Sequence, residues 1–184
     1  MIDVVPLSIP VGIKSSATDL KILVLEKNSA PGKKFLLSGS GQCNITHSGS
    51  VMDFSRHYGL SGDFVKPALN AFPPEKLVRF LHDNSVPTVE TDNGKIFPES
   101  MRAADVLSMM TSLCEGSGIE FRYGSPVAET AYENEKFIVA VENDSVERFR
   151  SSFLVITTGV ESYPATGSDG DGYKFAVSLG HPVV

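Results

Sequence analysis

The sequence predicts an α/β fold with parallel-type buried strands and an antiparallel β-meander, and three observations predict it. The apolar run Lys21-Ile22-Leu23-Val24-Leu25 ends in the carboxylate Glu26. A second run, Phe153-Leu154-Val155-Ile156-Thr157, enters Thr158-Gly159. Between them stand two helical patterns and a series of short alternating segments. Unbroken apolar runs of this length read as strands buried on both faces, the habit of parallel sheets covered by helices.

The elements follow in order. Pro6-Leu7-Ser8-Ile9-Pro10-Val11-Gly12 holds two prolines in five residues, which argues against a central strand or a helix interior. Lys21 to Glu26 is the first strand. From Ser29 to Ser50 the composition shifts to Gly, Ser, Lys and Asn, with only Phe35-Leu36-Leu37 apolar. A loop of that length inside a compact domain is functional or disordered. Pro73-Pro74-Glu75 opens a helix through Asn84, with Leu77, Phe80 and Leu81 on one face. Asn93-Gly94 marks a turn before Lys95-Ile96-Phe97-Pro98. Ser100 to Glu115 reads as a second helix with the stripe Ala103, Val106, Leu107, Met110 and Leu113, closed by Gly116 and Gly118. Residues 119–123, 127–132, 137–142 and 146–149 have strand character, separated by Asn134-Glu135 and Asn143-Asp144, and read as a meander over 119–150. A glycine-rich stretch from Gly167 to Gly172 leads into a last helix, Tyr173 to Leu179, capped at Gly180. The chain stops at Val184 without a polar tail, which reads as an interruption, so residues 1–184 are expected to form one partial domain.

Composition removes several function classes. Hydrophobic residues at 41% and charged residues at 21% exclude a disordered chain. Asp and Glu number 22 against 16 Lys and Arg, a net charge of -6, whereas a nucleic-acid surface needs clustered positive charge. No nucleic-acid partner is expected. No apolar run is long enough to span a bilayer and no secretory leader pattern is present, so a cytoplasmic protein without a membrane partner is expected. Cys43 and Cys114 are too few for a disulfide scaffold, and the four histidines lack metal-ligand spacing, so no metal is assigned. There is no G-x-S-x-G, which removes support for a hydrolase elbow.

Four constellations can carry chemistry. Glu26 ends a parallel-type strand, where a carboxylate accepts hydrogen bonds from ribose hydroxyls; the bland alternative is a solvated glutamate. In Ser38-Gly39-Ser40-Gly41-Gln42-Cys43-Asn44, Gly39 and Gly41 let backbone approach a planar or anionic ligand, and Ser38 and Asn44 reach ring heteroatoms. The alternative is a flexible loop. Cys43 is a space-filling residue or a lone thiol beside a cofactor. Lys33 and Lys34 just upstream read as solvated surface more readily than as phosphate ligands. Thr158 and Gly159 end a strand at the crevice where α/β sheets bind cofactors, or form a tight turn. In Thr166-Gly167-Ser168-Asp169-Gly170-Asp171-Gly172-Tyr173, Ser168 or Asp169 can cap the helix, whose first N–H groups favour negative charge on a ligand.

Together these segments resemble the BaiN-type flavoproteins, NAD(P)/FAD-dependent oxidoreductases with two dinucleotide-binding domains. Five stretches carry the resemblance: Leu23 to Asn28; Gly32-Lys33-Lys34 through Ser38 to Thr46; Gly94 to Pro98; Val155 to Gly159; and Ser162-Tyr163-Pro164 through Gly167-Ser168, Gly170-Asp171-Gly172-Tyr173 and Gly180-His181. The resemblance implies a Rossmann-like FAD/NAD(P)-binding domain, with FAD as cofactor, NAD(P)H as electron donor and a small-molecule substrate or electron acceptor. Hydride transfer would take place at flavin N5, and no catalytic side chain is assigned. It implies that Glu26 with Lys27 binds at the adenosine ribose, and that Ser38, Gly39, Gly41, Cys43 and Asn44 lie against the isoalloxazine. Val127 would offer backbone groups to adenine. Thr158 and Gly159 would pass close to the pyrophosphate or flavin, and Gly170 and Gly172 would face the flavin or substrate. The glycine segments near 40, 159 and 170 would thus converge on one guest. The sequence departs from the family at its opening strand and pyrophosphate loop: residues 1–20 are a degenerate version in which only Gly12 survives, which weakens FAD binding. Gln42 replaces the usual Arg, Thr157 the usual Ala and Val160 the second Gly. The alternative is a non-catalytic remnant, or a nucleotide-binding or interaction module without FAD affinity. An unpaired edge on the first strand would favour self-association.

Overall fold

The computed structural model describes residues 20–143, 145–159 and 161–183; Gly12 and the degenerate loop lie outside them. The chain divides into two compact units, one holding Leu36–Met109 and the other the described residues up to Phe35 and from Met110 onward.

The first unit is built on a three-stranded antiparallel sheet. Strand β2 (Thr46–His47) and strand β3 (Thr88–Glu90) flank β4 (Lys95–Pro98), with Thr46 opposite Ile96 and Val89 opposite Phe97. Helices α1 (Val51–His57), α2 (Gly62–Ala71) and α3 (Pro74–Asp83) lie between β2 and β3 in the chain. Pro74 starts α3 because a first-turn residue needs no N–H partner. The expected apolar face of α3 is realised: Leu81 is fully buried, Leu77 and Phe80 half-buried. Helices α1 and α2 occupy a stretch with no expected element. Helix α1 begins with a capping box in which the Ser50 hydroxyl accepts from the Asp53 N–H at 3.2 Å, and the Asp53 carboxylate accepts from the Ser50 N–H at 3.0 Å.

The long helix α4 (Ala103–Gly116) runs through the point where the chain divides. Ala103, Val106, Leu107 and Met110 of its expected stripe are buried, and Cys114 joins them.

The second unit contains a parallel pair, β1 (Leu23–Leu25) with β5 (Glu120–Arg122), in register Leu23 to Glu120 and Leu25 to Arg122. Strand β5 was expected to open the meander; it pairs with β1 instead, and the meander consists of β6 (Val127–Glu133), β7 (Lys136–Glu142) and β8 (Val146–Ser151). Asn134 and Glu135 both adopt left-handed φ, 48° and 59°, as a two-residue hairpin loop requires. Strand β7 is the centre, and Val139, Ala140 and Val141 are buried in succession. Arg122 ties β5 to β8: it donates to Glu120 at 2.9 Å and Glu147 at 2.7 Å, and lies 5.1 Å from the Phe149 ring centroid. Helix α5 (Asp171–Ser178) packs on β6 through buried Phe175, and Thr130 Oγ1 lies 2.8 Å from Ser178 Oγ.

Two strand expectations need correction. Strand β1 is half-buried rather than buried on both faces, having one ladder neighbour among the described residues. The run Phe153 to Thr157 is not a strand: Phe153 is 72% and Val155 53% exposed. An apolar run becomes a strand only where a neighbour offers a ladder, and among the described residues none does. Among the described residues no helix is long and apolar enough to cross a membrane, and no cluster could hold a metal ion.

Replacing Leu81 with Ala removes a side chain with 0% exposure, and is expected to cost about 2–5 kcal/mol. Urea unfolding of the two proteins checks this; equal midpoints would contradict the assigned core.

Candidate functional site

In the second unit, β1 delivers Glu26, Lys27 and Asn28 to its C-terminal end. The Glu26 N–H still continues the ladder, donating to Arg122 O at 3.0 Å. Its Oε1 accepts from both the Asn28 N–H and the Asn28 amide, each at 2.8 Å. Among the described residues, no hydrogen bond reaches Oε2, and Asn28 orients the carboxylate through Oε1. Asn28 reaches on to Thr166 O at 3.2 Å.

Lys27 does not wait for a ligand. Its ammonium donates to Asp169 at 2.6 Å and Asp171 at 3.1 Å. Burial, the largest single influence, pulls its pKa down, but the two carboxylates together outweigh it and leave the ammonium above its ordinary range. Asp169 moves the other way, held below the usual carboxylate range chiefly by its bond to Lys27. Lys27, expected at the cofactor, is engaged by these two carboxylates. The expected helix caps are corrected too: the N-cap of α5 is Gly170, with no side-chain cap, because Asp169 is committed to Lys27. Asp171 sits in the first turn and also meets Lys174 at 3.1 Å.

The glycine-rich turn lies on this strand end. Gly167 has φ +95°, and a Cβ there would stand 2.7 Å from Asn28 Nδ2 and 3.2 Å from Lys27 Cε, so only glycine allows the approach. A Cβ on Gly159 would meet Ser168 Oγ at 2.8 Å, and one on Gly172 would collide with Thr158 Oγ1. Gly159 lies against Ser168 and Gly172 against Thr158, so these close contacts are with protein atoms. Lys34, read as solvated surface, instead donates to Ser162 Oγ at 2.7 Å. Val127 stands at the start of β6, opposite Val141. Sequence reasoning missed Asn28 and Asp169 as organising groups. The adjacency of Glu26-Lys27-Asn28 was the available signal, but the carboxylates that meet Lys27 lie more than a hundred residues away in the chain.

The Ser38–Asn44 loop belongs to the first unit. It closes on itself, with Cys43 N–H donating to Ser38 O at 3.0 Å and Gln42 N–H to Gly39 O at 3.1 Å. Ser40 and Cys43 hold left-handed φ of 58° and 60°, rare for residues with a side chain. A Cβ on Gly39 would stand 2.8 Å from the Asn44 backbone nitrogen. Two buried polar atoms, Ser38 Oγ and Asn44 Oδ1, complete no hydrogen bond with the described residues. Buried polar groups are normally satisfied, so an orphaned hydroxyl and an orphaned amide oxygen in one loop fit a ligand with complementary polar edges. Gln42 and Phe97 line an open cleft of about 440 Å³ with Thr91, Asp92, Asn93, Lys95 and Met101. Gly41 has its nearest would-be neighbour at 3.7 Å, the Leu36 carbonyl oxygen.

Burial pushes the Cys43 thiol up to about 11, and burial with the Glu115 charge does the same for Cys114. Neither is a nucleophile at neutral pH. Alkylation of the folded protein near neutral pH is therefore expected to be roughly a hundredfold slower than in denaturant, rising only in strong alkali. Mass spectrometry of timed iodoacetamide reactions reads this, and rapid labelling of Cys43 would contradict its placement.

The chain is 28% identical over 169 residues to the 3-dehydro-bile acid delta(4,6)-reductase of Clostridium scindens, covering 90% of this chain and 40% of that protein. It is 27% identical over 160 residues to the ribosomal RNA dihydrouridine synthase of Escherichia coli, covering 87% of this chain and 38% of that one. Among solved structures, the halogenase PltM aligns with a TM-score of 0.39 at 11% identity, over 83% of this chain and 32% of that chain. The chain thus spans about two fifths of the length of the curated relatives it matches. Residues 10–184 match the HI0933-like protein Rossmann domain, and the chain belongs to that family.

Proposed function

We propose that this chain is the FAD-binding part of an oxidoreductase that takes its electrons from NAD(P)H and reduces a carbon–carbon double bond in a small molecule. The observation that carries the reading is the orphaned pair Ser38 Oγ and Asn44 Oδ1, buried in the loop over 38–44. The relatives support the reaction class: one is named a reductase, the other for the reduced nucleoside it makes. The net charge of -6 favours a small molecule over RNA as substrate.

FAD, when bound, supplies the hydride chemistry. The chain's residues bind and orient. Glu26 Oε2 accepts from ribose hydroxyls, and Asn28 holds the carboxylate in position through Oε1. Ser38 Oγ donates to, and Asn44 Oδ1 accepts from, ring heteroatoms. Gly39 lets the loop close on the Asn44 backbone nitrogen, 2.8 Å from where a Cβ would stand. Thr158, Gly159, Gly170 and Gly172 form the backbone wall beside the strand end.

Protein incubated with FAD and then desalted is expected to retain flavin absorbance. Ser38→Ala and Asn44→Ala should each weaken FAD binding about five- to tenfold, the worth of one hydrogen bond in a buried site. Retention by both variants at the wild-type level, or a colourless wild-type protein, would refute the reading.

A further inference from the structure

We propose that His47 is a positioning residue for the cleft beside the Ser38–Asn44 loop. It holds the cleft's wall with both ring protons, so the wall is set while the ring is an imidazolium and loosens when the ring gives up a proton. This holds whatever occupies the cleft, and only its effect on FAD rests on the function proposed above.

His47 ends β2, and its ring lies between two backbone carbonyl oxygens. Nδ1 stands 2.6 Å from Ser48 O, and Nε2 2.7 Å from Asn93 O. A carbonyl oxygen only accepts, so each ring nitrogen must carry a proton to bond it. A neutral imidazole has one N–H and would turn the lone pair of its other nitrogen onto a carbonyl oxygen. Neither tautomer makes the same two bonds, and the imidazolium makes both.

The second bond reaches the turn that walls the cleft. Thr91, Asp92, Asn93 and Lys95 line it together with Gln42 and Phe97. Phe97 also lies 3.5 Å from the Cβ position of Gly39, which joins the cleft to the loop. Gly94 has φ +79°, and a Cβ there would collide with His47 Cε1 and stand 2.9 Å from Nε2, so the ring rests directly on the glycine of the turn. Ser48 N–H donates to Gly94 O at 2.8 Å, fixing the same turn from the adjoining residue. The contact to Ser48 lies within the ring's own stretch of chain. The contact to Asn93 crosses 46 positions, and it is the one that opens when a proton leaves.

The charges around the ring come from three elements. Lys95 of β4 stands opposite His47 in the ladder. Glu90 of β3 accepts from Ser48 Oγ at 2.6 Å, and Asp92 precedes Asn93 in the turn. Asp53 of α1 brings Oδ2 to 3.8 Å from the Cβ position of Gly49 and pairs with Arg56 at 3.5 Å. Helix α1 also carries His57, whose Nδ1 lies 2.8 Å from Asp53 O. Lys95 opposes a second positive charge, while the carboxylates and the two carbonyl dipoles favour it. The ring is exposed, so its protons exchange with water directly.

Nitrogen-15 NMR of the His47 ring and of the Ser48 and Gly94 amides, followed from about pH 5 to about pH 8, tests this across the span in which histidine rings change charge. Both ring nitrogens are expected to carry protons at the acid end, and the two amides to shift in step with the ring as it loses one. His47→Gln cannot titrate and should abolish that shift. His47→Arg, a cation throughout, should keep the turn as it is in the acid wild type. FAD affinity should fall severalfold toward the alkaline end in the wild type and stay level in His47→Gln. A ring nitrogen without its proton at the acid end, amides that ignore the ring, or amide shifts that survive in His47→Gln and so belong to His57 or a carboxylate, would overturn the proposal. So would an FAD affinity with the same slope in both proteins, flat or falling. A wild type that binds no FAD would refute the flavin function alone, with the ring and amide signals still deciding the part played by His47.

Discussion

An ammonium between two carboxylates organises the second unit. Lys27 leaves the end of β1 and meets Asp169 and Asp171, on either side of the Gly170 cap of α5. Exposed ion pairs are weak, but this one is partly buried and doubled, and it works beside the Asn28 bond to Thr166 O. The glycine-rich turn is thereby fixed to the strand end, and α5, which starts there, sets Phe175 and Ser178 against β6. A short local contact thus determines where a helix begins and which sheet it covers.

The same contact divides the acidic and basic signals of the strand end into separate duties. Asn28 holds Glu26 through Oε1, while Asp169 and Asp171 engage Lys27. Asn28 decides this as much as Lys27 does, since it gives Glu26 Oε1 two donors. What the carboxylate can still accept is fixed by what its neighbours have already given it.

Elements with strong local signals were legible in the sequence. Helices α3 and α4 followed from their apolar spacing, and the β6–β7 hairpin from Asn134-Glu135. What was not legible depended on distant partners. Whether Phe153 to Thr157 forms a ladder, and whether β5 joins the meander or β1, is decided by neighbours and not by the segment itself. Helices α1 and α2 escaped because Asp53 closes the capping box where Glu or Gln is the usual signal, and Pro67 lies inside α2. Lys27 and Lys34 have the composition of solvated lysines, and only the folded chain shows the carboxylates and the serine that engage them. The orphaned atoms of Ser38 and Asn44 could be suspected from residue type, but their burial required coordinates.

The left-handed backbone at Ser40 and Cys43 holds about 1–3 kcal/mol of strain at each position. Glycine at the exposed Ser40 would relieve it there, whereas at the buried Cys43 it would also empty a packed position. Directed evolution for heat tolerance alone would drift toward glycine at Ser40, and would soften the rigid shape of the loop as it raised the melting temperature. Robustness and readiness pull against each other at that residue.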